Sequence, residues 1–347
     1  MRHIVIGGDG FVGRALARDL AVLGEEVVVA DIRKAAPGVY DRVAFRPLDV
    51  TDRDAVLGFD IRTDDIVYNL SAKMLSPIMP RRRRRGFFWP VNHDAVRHIL
   101  DRMAMVGCSR LVQFSTDMVY GHIQAVPTRE DHPTDPLGEY GLSKLATEAL
   151  CDTYRARGIN VSMFRPRLII GAGRLGILLK LFRLVDNHLP VPMIGSGRNP
   201  YQFISVDDCA SAARLAWQAG VPNAVYNLGS KNPPPIRQLL GRLIAEAGSR
   251  SILVPTPAPL VKLVLDALDG ANLPLMDPEQ YRIADEVCIL DTSAAERDLG
   301  WQATAADDDM LMAAYWDYRS TVGDRRAAAR VPARPTLTIE PHTGREP

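Results

Sequence analysis

The sequence of 347 residues has few cysteines, no long apolar run and almost no net charge. No apolar run reaches the length needed to cross a bilayer. The formal net charge of +1 gives no overall attraction to nucleic acid or to a membrane, so neither partner is predicted and any such affinity has to be local. The cysteines form no CxxC pair and the histidines have no metal-ligand spacing, which argues against a disulfide framework and a metal site. The cysteines are Cys108, Cys151, Cys209 and Cys288.

What the sequence does contain is typical of a globular enzyme. Hydrophobic residues make up 47% and charged residues 24%, which excludes a mainly disordered chain. A chain of this length suits one large α/β domain with an appended lobe, or two domains. The first residues, MRHIVIGGDG, run directly into a strand and a glycine turn, so we expect no signal peptide and a cytoplasmic location.

A glycine-rich turn lies near the start of the chain. The apolar run HIVI at residues 3–6 precedes Gly7, Gly10 and Gly13, and the segment RALARDLAVLG that follows has helical periodicity. Glycines here permit a tight turn, close approach of the backbone to a pyrophosphate and close packing of helix against strand. The spacing is GxxGxxG rather than GxGxxG, and a simple glycine-rich turn is the alternative. The order strand, turn, helix favours dinucleotide binding.

Asp31 ends the next apolar strand, EVVVAD, where a carboxylate is suited to accept hydrogen bonds from an adenosine ribose. Asp31 would repel a 2′-phosphate, which favours NAD over NADP. Arg33 and Lys34 follow closely and are able to pair with a 2′-phosphate. The sequence therefore predicts NAD and leaves NADP open.

Strand and helix patterns continue to alternate through VAFRPLDV, DDIVYNLSAK and LVQFSTDMVYG. This alternation predicts an α/β fold with a Rossmann-type, doubly wound parallel sheet, whose strands end along one edge where ligands bind. We expect a nucleotide-binding domain over residues 1–165, to which later segments could add strands, and a smaller substrate-binding lobe over residues 166–320. The proline-rich end, residues 321–347, has no apolar period and is predicted to be disordered.

The segment YGLSK places Tyr140 and Lys144 one helical turn apart on the same face. An ammonium beside a phenol favours the ionised form, which makes the tyrosine a usable base. Thr116, upstream in FSTDMVYG, could hydrogen-bond the same substrate oxygen. A lone YxxxK occurs by chance on surface helices, but with a nicotinamide bound at the glycine turn these residues predict a site of hydride transfer.

In this order the motifs resemble those of the extended short-chain dehydrogenase/reductases, also called the NAD-dependent epimerase/dehydratase family. The resemblance covers roughly residues 1–318 and includes the glycine turn, NLSA, STDMVYG, YGLSK, FISVDDCA, YNLGS and RDLGW. It implies that Tyr140 acts as general base or acid, that Lys144 holds the nicotinamide ribose, and that Thr116 fixes the substrate hydroxyl. It also implies a small-molecule substrate and a homodimer.

The same resemblance implies NAD as the cofactor and a set of residues that contact it. These are Gly7, Gly10, Phe11, Val12 and Gly13 at the pyrophosphate, Asp31 at the adenosine ribose, Asp49 and Val50 beside the adenine, Leu70, Ser71, Ala72 and Asn92 along the cofactor path, Pro166 near the nicotinamide, and Tyr140 and Lys144.

The sequence departs from the family pattern at places that bear on the substrate. Met118 stands where sugar-nucleotide 4,6-dehydratases have glutamate, and because a methionine cannot abstract a proton, dehydration is disfavoured. Asp117 beside it either takes part in chemistry or hydrogen-bonds backbone at the strand end. Leu168 and Tyr201 stand where nucleotide-sugar enzymes usually have asparagine and often arginine. These two changes weaken the case for a diphosphate-sugar substrate.

Two further segments have alternative interpretations. Arg81 to Arg85, followed by GFFW, form either a solvated charge run, which we favour, or a cationic patch that receives an anionic substrate or partner. The apolar, proline-punctuated segment 251–282 resembles the hydroxysteroid dehydrogenase branch of the family. Its apolar face is either core, which we favour, or the wall of a pocket.

Three hypotheses of function follow from these patterns. The first is a nucleotide-sugar epimerase or oxidoreductase, supported by the order of motifs and the arginine run. The second is a dehydrogenase of an apolar alcohol, supported by Leu168, Tyr201 and the apolar segment. The third is a non-catalytic NAD-sensing protein, which the presence of Thr116, Tyr140 and Lys144 disfavours because a sensor needs no base.

Overall fold

The computed structural model describes residues 1–32, 43–171, 173, 175–176 and 178–329, with side chains in the last helix described to residue 321. Arg33 and Lys34 lie outside the described residues. The strands in the described part are β1 (Arg2–Ile6), β2 (Glu26–Asp31), β3 (Ala44–Pro47), β4 (Ile66–Asn69), β5 (Arg110–Phe114), β6 (Asn160–Pro166), β7 (Leu168–Ile170), β8 (Val191–Ile194), β9 (Phe203–Ser205), β10 (Val225–Leu228) and β11 (Leu253–Thr256).

The α-helices alternate with these strands through the first half and then dominate the second. They are α1 (Phe11–Val22), α2 (Arg53–Leu57), α3 (Arg84–Trp89), α4 (Ala95–Val106), α5 (Glu139–Arg155), α6 (Leu178–Asp186), α7 (Val206–Gln218), α8 (Ile236–Glu246), α9 (Ala258–Gly270), α10 (Pro278–Tyr281), α11 (Ser293–Leu299) and α12 (Asp307–Ala329). Short 3-10 turns occur at Arg81–Arg83 and Asp117–Val119, and a π-helical segment at Pro90–Asp94 joins α3 to α4.

The main sheet has seven parallel strands in the order β10-β6-β5-β4-β1-β2-β3. The chain runs outward from β1 in one direction through β2 and β3, and in the other through β4, β5 and β6. This confirms the predicted doubly wound fold and places its switch point between β1 and β4. The carboxyl ends of these two strands lead to Gly7 and Leu70, so the crevice where such sheets bind ligands opens beside the glycine turn.

Helices cover both faces of this sheet, as the continuous apolar strands require. On one face α1 packs against α7, whose small buried residues include Ala210 and Ala213 and permit close contact with Leu16 and Leu20 of α1. On the other face α4 and α5 cover the sheet and bury Ile99 and the other apolar residues of their inner sides. The four free cysteines are all buried.

A smaller lobe is built mainly from the second half of the chain. Two short sheets, β8 with β11 and β7 with β9, pack with α6, α8 and α12 around a separate core. That core includes Phe182, Leu243 and Tyr315, all fully buried. The same half also returns to the main sheet, because β10 forms its edge strand and α7 packs on α1.

The first residues of the predicted disordered tail belong to a helix in the structure. The prediction started that tail at residue 321, whereas α12 continues to Ala329. The sequence GDRRAAA in this stretch is rich in arginine and alanine, which favour helix. The rest of the predicted tail, residues 330–347, lies outside the described residues.

Candidate active site

A cavity of about 420 Å³ lies between the carboxyl edge of the main sheet and the smaller lobe. It brings together most of the residues that the sequence singles out: Gly10, Phe11, Val12, Gly13, Leu70, Ser71, Ala72, Thr116, Tyr140, Lys144 and Pro166. The remaining candidates, Gly7, Asp31, Asp49, Val50 and Asn92, are not part of its wall. The predicted catalytic residues and the glycine turn therefore share one space.

The glycine turn has the geometry of a dinucleotide cradle. Gly7 has a φ of +74°, and an added Cβ there would lie 2.6 Å from the backbone N of Ser71. An added Cβ at Gly13 would lie 2.5 Å from the carbonyl oxygen of Gly7. Gly10 supplies no side-chain cap to α1, and the first residues of that helix line the cavity. A pyrophosphate fits here because the backbone is bare and the helix N-terminus attracts negative charge.

The carboxylates predicted to contact the adenosine lie near the ends of β2 and β3 and also brace the loops there. Asp31 Oδ2 accepts the backbone N–H of Asp9 within the glycine turn (3.0 Å). Asp49 Oδ1 accepts both the backbone N–H and the hydroxyl of Thr51, and these hydrogen bonds lower the pKa of the carboxyl. Val50 beside it is buried. Their contacts with a cofactor stay predictions.

Asn92, which the resemblance places along the cofactor path, is not in the cavity wall. Its side chain exchanges two hydrogen bonds with the backbone of Lys73, at 2.8 and 3.0 Å, and donates to Ser143 Oγ at 3.2 Å. It is fully buried outside the cavity wall. Asn92 thus holds the loop after β4 against α5, and its effect on a cofactor would be indirect.

Helix α5 carries both Tyr140 and Lys144 into the cavity wall, and both are buried. Lys144 Nζ donates to the carbonyl oxygen of Phe114 at 3.0 Å, which fixes the ammonium at the end of β5. Burial lowers the pKa of Lys144 to about 8, partly opposed by the charge of Glu148. The Tyr140 ring packs edge-on against Phe88, with ring centroids 5.6 Å apart.

Thr116 follows β5 and begins the turn Asp117–Val119. Its Oγ1 accepts the backbone N–H of Met118 at 3.2 Å and donates to Asp117 Oδ1 at 3.2 Å. The hydroxyl is therefore fixed in position and carries a proton that it can redirect to a substrate oxygen.

Arg167 is a cavity residue that the sequence analysis missed. Its Nη1 donates to Asp117 Oδ2 in a buried ion pair, a partner for Asp117 that neither sequence-based alternative included. The guanidinium is also 5.3 Å from the ring centre of Tyr201, and its Nε has no hydrogen-bond partner in the described part of the chain. A second arginine inside the apolar run FRPRLII is the signal that could have identified it, since a charged residue there has to find a partner.

Glu279, on α10, is a second residue that the sequence analysis missed. Its two carboxylate oxygens accept the backbone N–H groups of Tyr140 and Gly141, at 2.9 and 2.8 Å. It thereby caps the N-terminus of the helix that carries the catalytic candidates, where Gly138 has no side chain to do so. Burial, with a smaller contribution from Asp277, raises the pKa of Glu279 to about 8.

The arginine run divides into a buried member and exposed members. Arg84 is 5% exposed and binds Asp269 and Asp277 in a buried network, so the interpretation as a solvated charge run is wrong for this residue. The others, Arg81, Arg82, Arg83 and Arg85, are exposed. Arg85 lies over the ring of Trp89 at 4.2 Å.

The lobe contributes a largely apolar wall to the cavity. Its residues there include Leu168, Leu175, Met193, Ile194, Leu240 and Ile283. Met276 and Gln280, from the apolar segment 251–282, also line the cavity, so part of this segment is pocket wall rather than core. The cavity thus has a glycine-rich half beside the sheet and an apolar half beside the lobe.

A parallel sheet with a glycine cradle at its switch point, and a buried tyrosine, lysine and threonine in the adjoining cavity, defines a nicotinamide-dinucleotide-dependent enzyme. The chain belongs to the NAD dependent epimerase/dehydratase family, whose model matches residues 3–229. This confirms the family, the NAD cofactor and the class of enzyme inferred from the motifs.

The chain is also similar to two curated proteins, and its fold is similar to that of a solved structure. The chain is 30% identical over 323 residues to the uncharacterised protein y4nG of Sinorhizobium fredii, and the match covers 91% of this chain and 78% of that protein. It is 25% identical over 359 residues to a UDP-glucose 4-epimerase of Corynebacterium glutamicum, covering 95% and 99% of the two chains. Its fold matches the crystal structure of the UDP-glucose 4-epimerase of Thermotoga maritima, solved with UDP-glucose, with a TM-score of 0.74, 21% identity, and 93% and 100% coverage.

Proposed function

We propose that this protein is an NAD-dependent epimerase of a nucleotide sugar, which oxidises a secondary alcohol to a ketone and reduces it again from the other face. The observation that carries the proposal is the meeting of Tyr140, Lys144 and Thr116 with the glycine turn in one cavity. The similarity to a UDP-glucose 4-epimerase over 95% of this chain supports a nucleotide-sugar substrate.

In this proposal the glycine turn and the residues beside the end of β5 would hold the cofactor. Gly10 to Gly13 would hold the pyrophosphate, Asp31 the adenosine ribose, and Tyr140 and Lys144 the nicotinamide ribose. The bound NAD supplies the acceptor for a hydride. The small residues Ser71 and Ala72 leave room for the chain of the dinucleotide along the cavity wall.

The side chains of the protein handle the proton. Tyr140, as phenolate, accepts the proton of the substrate hydroxyl while the hydrogen on the same carbon leaves as hydride. Lys144 stabilises the phenolate, and Thr116 exchanges its hydrogen bond to Asp117 for one to the substrate oxygen. When the hydride returns to the opposite face, Tyr140 gives the proton back. Substrate and product are then isomers, with no net oxidation.

Arg167 supports a substrate that carries oxygens near the reacting carbon. Its guanidinium is 5% exposed, lines the cavity next to Asp117 and uses only Nη1 in its ion pair. The remaining donors suit a sugar hydroxyl or carbonyl oxygen, since an unpaired buried donor is costly. Dehydration is disfavoured because Met118, which also lines the cavity, cannot serve as an acid or base.

A second candidate is a dehydrogenase of an apolar alcohol. The observation that favours it is the apolar wall, to which Leu168, Met193 and Ile283 contribute. In that reaction the reduced cofactor would leave after each turnover, whereas an epimerase keeps it. The same Tyr140, Lys144 and Thr116 would serve both reactions.

Incubation with UDP-glucose, UDP-galactose and UDP-glucuronic acid, without added NAD, tests the first candidate by chromatography of the nucleotide sugars. We expect one of them to be converted to its epimer with no accumulation of NADH, and Arg167→Met to raise KM more than it lowers kcat. In a parallel incubation with added NAD, conversion of a steroid alcohol with NADH release, and of none of the nucleotide sugars, would instead establish the second candidate.

We further propose that the protein is cytoplasmic and, as the family resemblance implies, a homodimer. Gel filtration with light scattering measures the oligomeric state directly, and a mass equal to one chain would refute the homodimer.

A further inference from the structure

Helix α9 presents its apolar residues to the outside of the molecule. The exposed apolar residues are Leu260, Leu263, Val264 and Ala267 on the helix, and Leu273 and Leu275 directly after it. The four on the helix have the spacing i, i+3, i+4, i+7, which places them on one face. Leu263 and Leu273 are each 66% exposed. We refer to these six residues as the α9 stripe.

The charged residues of α9 face the protein and fix the orientation of the helix. Each has an ion pair with another element: Lys262 with Asp285, Asp266 with Arg282, and Asp269 with Arg84. A helix in a globular protein normally turns its apolar face inward. Val261, Leu265 and Leu268 of α9 are half-buried, whereas the residues of the α9 stripe are exposed and form a contiguous apolar surface of the kind that marks an interaction site.

Exposed cations flank the α9 stripe. The backbone N–H of Arg82 donates to Asn272 Oδ1 at 3.2 Å, just beyond the end of α9. Arg81, Arg82 and Arg83 are exposed and form no ion pair with any described residue. Near Leu275, the exposed Lys180 donates to the Leu275 carbonyl oxygen at 3.3 Å. The apolar surface therefore carries positive charge on its border.

We propose that the α9 stripe and the exposed arginines bind the surface of an anionic lipid bilayer. Apolar side chains that enter the headgroup region, together with arginines that contact phosphates, are the combination by which proteins bind membrane surfaces. The clustered arginines are complementary to a partner with dense negative charge, such as the phosphates of anionic lipids. A bilayer places these phosphates beside an apolar layer, which the α9 stripe can enter. The small net charge and the absence of a spanning apolar run predicted no membrane partner, and the proposal concerns the local affinity that the net charge leaves open.

The geometry is that of a protein lying on a membrane rather than spanning it. Helix α9 has 13 residues, which corresponds to about 20 Å, shorter than the hydrocarbon core of about 30 Å. Among the described residues, no helix has the length and apolar character to cross a bilayer. The surface also borders the cavity, because Met276, the residue after Leu275, lines it.

Sedimentation of the full-length protein with lipid vesicles tests the proposal. We expect it to bind vesicles of phosphatidylcholine with about one third phosphatidylglycerol, to bind pure phosphatidylcholine weakly, and to be released by high salt. The variants L263E/V264E and R81E/R82E are expected to lower the affinity for anionic vesicles at least about tenfold. Their melting temperatures should stay near that of the wild type, because all four side chains are exposed.

Matched controls carry the same changes on other faces. V22E/L23E alters two apolar side chains, 79% and 51% exposed, at the end of α1, and R53E/R250E reverses two exposed arginines outside the run Arg81 to Arg83. Both should bind vesicles like the wild type. The proposal is overturned if the wild type stays in the supernatant, or if L263E/V264E and R81E/R82E bind as well as the controls. It is also overturned if L263E/V264E only dissociates an oligomer, since the stripe would then contact a second copy.

Discussion

Tyr140 is the residue on which the proposed chemistry depends most. Tyr140→Phe removes the proton acceptor but keeps the ring packed against Phe88. We expect turnover to fall by at least about 100-fold with the NAD content of the purified protein unchanged, as measured by kinetics and by mass spectrometry. Tyr154→Phe is the matched control, because Tyr154 is on the same helix but hydrogen-bonds Asp101 outside the cavity. Near-normal turnover of Tyr140→Phe would contradict the catalytic assignment.

The lowered pKa of Lys144 predicts how kcat depends on pH. Burial lowers the pKa of its ammonium to about 8. The charged form exists below this pKa and the neutral form above it, so the stabilisation of the phenolate weakens as pH rises through about 8. We expect kcat to fall between about pH 7 and pH 9, and the residual kcat of Lys144→Met to show no such fall. A wild-type profile that continues to rise across this range would count against the role of Lys144.

At the scale of elements, Glu279 connects the lobe to the catalytic helix. The carboxylate on α10 accepts two backbone N–H groups of the first turn of α5, and an added Cβ at Gly138 would lie 2.6 Å from its Oε1. Glu279→Gln leaves one acceptor and turns an amide N–H₂ towards the other N–H group. We expect kcat to decrease while the KM for substrate changes little, because Tyr140 moves with the end of its helix.

The raised pKa of Glu279 also predicts how stability depends on pH. Between its ordinary value of 4.5 and about 8, the folded protein holds a proton that the unfolded chain has lost. The free energy of unfolding therefore falls as pH rises through this window. We expect the wild type to lose roughly 1 kcal/mol or more relative to Glu279→Gln between about pH 5 and pH 8. Urea unfolding at several pH values measures this, and parallel curves for the two proteins would refute it.

The glycine cradle is the element that makes cofactor binding possible. An added Cβ at Gly13 would lie 2.5 Å from a backbone oxygen of Gly7, which cannot move aside like a flexible side chain. We expect Gly13→Val to abolish NAD binding, as measured by the NAD content and by calorimetric titration. Gly241→Ala, on α8 with open space around its position, is the control and should bind NAD normally. Retention of NAD by Gly13→Val would show that the cofactor lies elsewhere.

The elements that the sequence predicts are those determined by residues adjacent in the chain. The strand HIVI, the glycine turn and the helix after it follow from adjacent residues, as do Tyr140 and Lys144 one turn apart. Arg84, Arg167 and Glu279 have partners that are 185, 50 and 139 residues away in sequence. No local pattern indicates such pairings. A charged residue within an apolar run shows only that some partner has to exist.

At the scale of the whole molecule, the packing of the lobe also depends on contacts between residues distant in sequence, which local patterns do not predict. The alternation of strands and helices predicted the parallel sheet, but which later segments return to it depends on long-range packing. β10 joins β6 at the edge, and the core of the lobe collects Phe182, Leu243 and Tyr315 from three distant helices. The exposed apolar side of α9 was not predicted either, because periodicity locates an apolar face without showing what covers it.

The central claim, an NAD-dependent epimerase that keeps its cofactor through the reaction, is tested most directly by what the purified protein carries. The measurement is to denature it and quantify the released nicotinamide cofactor by mass spectrometry. The account predicts NAD, rather than NADP, at close to one molecule per chain, because internal return of the hydride requires a cofactor that stays bound. A purified protein that releases no nicotinamide cofactor, and has to be supplied with NAD to bind any, would contradict it.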